Sequence, residues 1–104
     1  MYIAVCDDQL NELDNLSRLL ELWREQQNLT LRYKTFSSAV ELLHAAENEH
    51  FTLYLMDVMM PGMDGMAAAR EIRSVDETAE IVFFTSSPDF AYASYGVRAQ
   101  DYLL

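Results

Sequence analysis

Three aspartates are placed where they could share one site. Asp7 and Asp8 directly follow an apolar run that ends at Cys6. Asp57 directly follows a second apolar run, which ends at Met56. If both runs are strands of one parallel sheet, the three carboxylates meet at its carboxyl edge, where open α/β folds bind their ligands. Carboxylates this close raise one another's proton affinity unless a cation lies among them, although acidic residues after a strand are also common turn formers.

The composition limits the kinds of protein that can carry such a site. A chain of 104 residues, 51% of them hydrophobic, suffices for one domain with a single core. Its formal net charge of -10 argues against direct nucleic-acid binding by this segment, because that affinity rests on clustered Lys and Arg. The single cysteine, Cys6, excludes an internal disulfide and is expected to be a buried, inert thiol. No apolar segment approaches the ~18 residues of a membrane span, so we expect a cytoplasmic domain without membrane contact.

Five short segments have the character of β-strands. Four are mainly apolar, and one alternates strictly between polar and apolar residues. The alternating segment carries two basic side chains and is typical of a sheet edge, whereas the first, third and fourth runs are typical of central strands. In chain order, the predicted strands span residues 2–6, 30–35, 52–56, 81–84 and 100–104.

The segments between the strands have helical signals. Ser38 and Glu41 have the spacing of a capping box and predict a helix that ends near Asn48. Leucines at three- and four-residue intervals predict an amphipathic helix over about 9–27. Its predicted packing stripe consists of Leu10, Leu13, Leu16, Leu20 and Trp23.

Two further helices complete the pattern. One is predicted over 66–73, after a Pro-Gly turn, and a short one is predicted to begin at Ser87 and close at Gly96. Strict alternation of strands and helices predicts an α/β fold with a doubly wound, five-stranded parallel sheet and right-handed crossovers. The order 2-1-3-4-5 puts the edge-like second strand outside. Its switch point then lies between the first and third strands, where the aspartates are.

The residues around the aspartates resemble the receiver domain of bacterial two-component response regulators. The resemblance covers essentially the whole chain and rests on Asp7–Asp8, the block Asp57–Gly65, Thr85 and residues 101–104. It implies a flavodoxin-like domain that works in phosphorelay signal transduction and is not itself an enzyme. Asp57 would accept a phosphoryl group from a phosphohistidine of a sensor histidine kinase.

The resemblance also implies a magnesium site. Asp8 and Asp57 would ligate Mg2+ directly. The backbone carbonyl of Met59 would supply a third ligand, and Asp7 would act mainly through a bound water. Such a set suits Mg2+, which prefers oxygen ligands and keeps several waters. The ion would offset the repulsion between an anionic nucleophile and an anionic phosphoryl group.

Two more residues match positions that respond to phosphorylation in this family. Thr85 would hydrogen-bond the phosphoryl group after transfer, and Tyr102 would turn inward as the loop after the fourth strand moves. Ordinary roles stay open for both, because Thr85 also suits the end of a strand and Tyr102 also suits half-buried packing. Pro61 and Gly62 would form the turn that shapes the loop beside the acceptor.

The sequence departs from the family pattern after the fifth strand. Receivers usually continue with a Lys, a Pro and a last helix, whereas this sequence stops at Leu104. Lys34, the only lysine, belongs to the predicted edge strand and is not expected to replace the family's lysine. We therefore expect residues 1–104 to be a C-terminally truncated receiver that lacks the final helix, is less stable than a longer domain and forms homodimers.

Residues 90–104 resemble receivers joined to LytTR-type DNA-binding domains, which implies transcriptional control through an output domain absent from this sequence. Two other functions stay open. A Mg2+-dependent phosphohydrolase with Asp57 as nucleophile is disfavoured because Met59 stands where haloacid-dehalogenase-type phosphatases carry a second aspartate. A pseudo-receiver that only binds partners is disfavoured by the intact acidic triad. His44 and His50 lack neighbours at metal-ligand spacing and are predicted to be solvated surface residues.

Overall fold

The computed structural model describes residues 1–58 and 64–84, together with the backbone of residues 101–103. Its strands form one parallel sheet in the order β2-β1-β3-β4-β5. The predicted fold class and strand order are therefore confirmed. The strands are β1 (Tyr2–Cys6), β2 (Arg32–Phe36), β3 (Leu53–Asp57), β4 (Glu80–Phe84) and β5 (Asp101–Leu103).

Three helices lie in the described residues: α1 (Leu10–Gln27), α2 (Ala39–Ala46) and α3 (Gly65–Val75). The Ser38 side chain accepts a hydrogen bond from the Glu41 backbone N–H, as the capping-box spacing predicts. α2 nevertheless ends two residues before the predicted boundary. The predicted short helix from Ser87 to Gly96 and the predicted Pro61–Gly62 turn lie outside the described residues.

Both faces of the central strand β1 are covered. Ala4 and Cys6 belong to the core beneath α2 and α3, whereas Ile3 and Val5 belong to the core beneath α1. All four residues are fully buried. An apolar run without alternation is therefore the correct sign of a central strand here, because each successive side chain enters a different core.

The packing stripe predicted for α1 is wrong at both ends. Leu13 and Leu20 are buried and Leu16 is half-buried, but Leu10 is 69% exposed and Trp23 is 41% exposed. At ~100° per residue, Leu10 and Trp23 lie about 80° and 60° around the helix from Leu20, at the margins of the buried face. Three- and four-residue spacing alone therefore overestimates the width of this stripe.

The edge position predicted for the second strand is confirmed. β2 pairs only with β1 among the described strands, and three of its five residues are exposed. Lys34 donates to Glu49 at 2.8 Å, and Glu49 precedes β3 at the amino edge of the sheet. The only lysine is therefore engaged at the edge opposite the aspartates. None of the described helices has both the length and the apolar character needed to cross a membrane.

Candidate functional site

Strand pairing brings the three aspartates together. β1 and β3 run parallel with Cys6 opposite Met56, so the residues that follow, Asp7 and Asp57, are adjacent at the carboxyl edge. Carboxylate oxygens of Asp7, Asp8 and Asp57 all lie within 4.8 Å of one another. The clustering predicted from the two apolar runs is therefore present. β3 continues through Asp57 itself, one residue beyond the predicted strand.

Asp7 is the most constrained member of the cluster. It is 3% exposed, its backbone N–H donates to the Phe36 carbonyl at 3.1 Å, and its Oδ1 accepts from the Gln9 backbone N–H at 2.9 Å. Burial, together with the charges of Asp57 and Asp8, raises the pKa of Asp7 to about 6 against the opposing effect of the Gln9 hydrogen bond. The ionised cluster is therefore electrostatically unfavourable without a cation.

The neighbouring thiol belongs to the core. Cys6 is fully buried, and burial together with the charges of Asp7 and Asp57 raises its pKa to about 12. A thiol with so high a pKa stays protonated at physiological pH and is a poor nucleophile. The predicted inert role of Cys6 is confirmed.

Gly65 fixes the backbone beside Asp57 and was not singled out by sequence reasoning. Its N–H donates to the Val58 carbonyl at 2.9 Å. A Cβ at this position would lie 2.4 Å from the Asp57 carbonyl oxygen and 3.0 Å from the Val58 Cα, so only glycine allows α3 to begin this close to β3. Asp64 caps the same helix by accepting from the Ala67 N–H at 2.8 Å. The Asp-Gly pair before an apolar helical run is the signal that could have identified this contact.

Several predicted site residues fall outside the described residues. They include Met59 and Thr85, whose roles stay predictions. Tyr102 lies in β5, where its backbone is paired with that of Phe83, but its side chain is not described. Thr85 directly follows Phe84, which pairs with Asp57 across β3 and β4.

The cluster has the chemistry of a hard-cation site. All three donors are carboxylate oxygens, the ligand type that Mg2+ and Ca2+ prefer. Oxygen ligands around Mg2+ lie about 3 Å apart when adjacent and about 4 Å apart when opposite, so donors already within 4.8 Å of one another need only small side-chain rotations to share an ion. Within the part of the chain that the structure describes, this is the one group of acidic, His or Cys side chains with such spacing.

Comparison with known proteins agrees with this geometry. A family model for the response regulator receiver domain matches residues 3–104. The chain is 28% identical to the sensory transduction protein LytT of Oceanobacillus iheyensis over 100% of this chain and 42% of that protein. It is 33% identical to the transcriptional regulatory protein ZraR of Salmonella typhimurium over 98% of this chain and 22% of that protein. The chain thus spans less than half the length of these curated relatives.

A solved structure with a fold similar to that of this chain contains Mg(2+)-BeF. The response regulator protein TrrA of Thermotoga maritima, crystallised in complex with Mg(2+)-BeF, superposes with a TM-score of 0.75 at 26% identity. The match covers 99% of this chain and 84% of that one.

Proposed function

The chain belongs to the response regulator receiver domain family, which works in phosphorelay signalling, and we propose that Asp57 is its phosphoacceptor. The observation that carries the proposal is the position of Asp57 at the end of a strand flanked by β1 and β4, with Asp7 and Asp8 beside it. Gly65 holds the Asp57 backbone from the α3 side. A carboxylate placed in this way has a fixed backbone and an accessible side chain, because Asp57 is only half-buried.

In the proposed reaction, a carboxylate oxygen of Asp57 attacks the phosphorus of a phosphohistidine. An O–P bond forms, the N–P bond breaks, and the imidazole leaves with the electron pair of the broken bond. Both reactants are anionic, so the step is opposed by repulsion that Asp7 and Asp8 increase. A cation-free cluster would therefore be a poor acceptor.

The same proposal assigns a magnesium site. Asp8 and Asp57 would bind Mg2+ directly, with the Met59 backbone carbonyl as a further ligand and Asp7 acting through a water. Bound Mg2+ supplies positive charge that stabilises the phosphoryl oxygens during transfer. Support comes from the all-oxygen donor set, its spacing, and the raised pKa of Asp7. The structure of TrrA, a protein of similar fold, was determined with Mg(2+)-BeF.

After transfer, Thr85 would hydrogen-bond the phosphoryl group and Tyr102 would turn inward. The strand register supports these roles. Asp57 pairs with Phe84, the last residue of β4, and Thr85 is the next residue in the sequence. Tyr102 in β5 pairs with Phe83, which lies in β4 one residue before Phe84. A shift at the end of β4 could therefore reach β5 through one strand pair.

The partners follow from the family and remain part of the proposal. A sensor histidine kinase would supply the phosphoryl group, and an output domain would read the phosphorylated state. A DNA-binding output of LytTR type fits the resemblance of residues 90–104 and the similarity to LytT. Transcriptional control would be its effect, in a cytoplasmic setting.

Labelling with a small phosphodonor tests the assignment. Phosphoramidate and Mg2+ are added to the wild-type chain, to Asp57→Asn and to the matched control Asp14→Asn. The mass of each intact protein and its content of hydroxylamine-labile phosphate are then measured. Asp14 lies on the exposed face of α1, so its variant removes the same charge away from the site. We expect one phosphoryl group on the wild type and on Asp14→Asn, and none on Asp57→Asn. Wild-type levels of labile phosphate in Asp57→Asn would refute the assignment.

A further inference from the structure

A cleft of about 690 Å³ lies at the edge of the sheet opposite Asp57. It is bounded by the C-terminal part of α2, by the C-terminal half of α3 and by the residues that lead into β3. Its size is that of a small-molecule pocket. The phosphoacceptor chemistry uses none of its lining residues.

Tyr54 gives the cleft an unusual polar group. The residue is 2% exposed, yet its hydroxyl makes no hydrogen bond to any residue that the structure describes. Burial, together with the charge of Asp76, raises the pKa of Tyr54 to about 12, so the side chain is a neutral phenol at physiological pH. A buried hydroxyl without a partner is unfavourable, and a ligand that supplies one would be favoured at this position.

The walls of the cleft are acidic. Asp76 Oδ1 accepts hydrogen bonds from the Thr78 N–H and hydroxyl and from the Ala79 N–H, which fixes the orientation of the carboxylate. Although burial raises the pKa of Asp76, the hydrogen bonds from Thr78 and Ala79 outweigh it and hold that pKa below its usual range, so the group stays ionised. Its Oδ2 faces His50 at 3.2 Å. Glu71 forms no ion pair or side-chain hydrogen bond with a described residue.

The lining residues carry an excess of negative charge, even with Glu49 paired to Lys34 at 2.8 Å. No Lys or Arg occurs among its described lining residues, and the imidazole of His50, 74% exposed, is the one basic group there. Apolar side chains from α2 and α3 also line the cleft, Leu43, Ile72 and Val75 among them. The four acidic lining residues are Glu47, Glu49, Glu71 and Asp76.

We propose that this cleft binds a guanidinium group carried on a short apolar stem. A guanidinium is a flat donor with five N–H groups that can serve two carboxylates at once. Glu71 and Asp76 Oδ2 would accept from it, the Tyr54 hydroxyl oxygen would accept a further N–H, and the stem would lie along Ile72 and Val75. An ammonium has no planar fork with which to reach these acceptors together.

Titration with N-butylguanidinium, followed by NMR of the full chain, tests the proposal. We expect saturable shifts at Tyr54, Glu71 and Asp76, whereas uncharged N-butylurea, of the same shape, should bind at least about tenfold more weakly. Tyr54→Phe and Glu71→Gln should each weaken binding several-fold. Glu12→Gln on α1 removes the same charge elsewhere and should leave the affinity unchanged.

Tyr54→Phe keeps the ring and removes only a hydroxyl that makes no hydrogen bond to a described residue, so the variant is expected to fold as the wild type does. Its thermal unfolding curve checks this. A capped tripeptide with a central arginine separates two sources of the guanidinium. Binding as tight as that of N-butylguanidinium assigns the site to a protein side chain, and loss of binding assigns it to a small molecule. Equal binding of N-butylurea, unchanged affinity in Tyr54→Phe, or no saturable shift up to about 50 mM would overturn the proposal.

Discussion

Asp7→Asn should make the cation-free protein more stable at neutral pH. Asp7 is 3% exposed and lies beside two further carboxylates. The folded protein therefore holds a negative charge where burial and like charges disfavour it. Asn has nearly the same shape and keeps a carbonyl oxygen to accept the Gln9 N–H, so the substitution removes the charge while preserving the hydrogen bond.

The magnitude follows from the pKa. A rise from the ordinary 3.8 to about 6 corresponds to about 3 kcal/mol. Well below pH 3.8 Asp7 is protonated in both the folded and the unfolded chain, so the two proteins should be equally stable there. As the pH rises from about 4 to 6 the unfolded chain releases this proton first, and the wild type loses stability relative to Asp7→Asn. Above about pH 6 the difference should reach its full size.

Urea titrations at pH 3.5, 5 and 8 in the presence of a chelator measure this difference, with Asp14→Asn as the matched control. Asp14 is exposed on α1, so its variant should follow the wild type at every pH. Adding Mg2+ should stabilise the wild type and narrow the gap, because an ion that binds only the folded state shifts the equilibrium toward it. The electrostatic explanation would be refuted if Asp7→Asn raised the free energy of unfolding equally at pH 3.5 and pH 8, or did not raise it at pH 8.

Three other substitutions test separate parts of the structure. Asp8→Ala should weaken Mg2+ binding by at least about tenfold while Glu12→Ala leaves it unchanged, as measured by NMR titration; equal affinities would remove Asp8 from the site. Gly65→Ala should lower the free energy of unfolding by about 1–3 kcal/mol and reduce phosphorylation, because its Cβ would lie 2.4 Å from a backbone carbonyl oxygen of β3. Wild-type stability in urea and wild-type labelling would show instead that α3 can shift freely. Ser38→Ala should cost about 1 kcal/mol through loss of the α2 cap, against less than about 0.5 for Ser37→Ala, and equal unfolding midpoints for the two variants would contradict this.

The strands were the most predictable part of this chain. Apolar runs and one alternating segment identified β1, β2, β3 and β4 to within a residue or two. A strand buried on both faces needs a continuous apolar run, and a strand buried on one face alternates between apolar and polar residues. Since parallel strands end at a common edge, the aspartate cluster followed from the same runs. The sequence predicted that the clustered carboxylates would raise one another's proton affinity, but not that burial would be the main cause of the raised pKa of Asp7.

Contacts between distant segments were the least predictable part. Leu10 and Trp23 match the helical period of α1, but their exposure depends on how far the sheet extends beneath the helix. His50 was predicted to be a solvated residue and is 74% exposed, yet its contact with Asp76, 26 positions later in the sequence, has no local signal. The cleft beside it arises from the same juxtaposition of α2, α3 and the start of β3. Such features become visible only once the elements are packed.

The burial that makes Asp7 costly also makes the cluster useful. Asp7 is buried because β1 continues into a turn tied to β2 by the Asp7 N–H bond to Phe36, and that same turn holds Asp8 next to the end of β3. A more exposed cluster would lose less stability on ionisation, but water would screen its charges and its attraction for a cation would fall. The free energy lost when the cation-free cluster ionises is therefore partly recovered when a cation binds. Stability, ion binding and readiness to accept a phosphoryl group are linked through the geometry of these two strand ends.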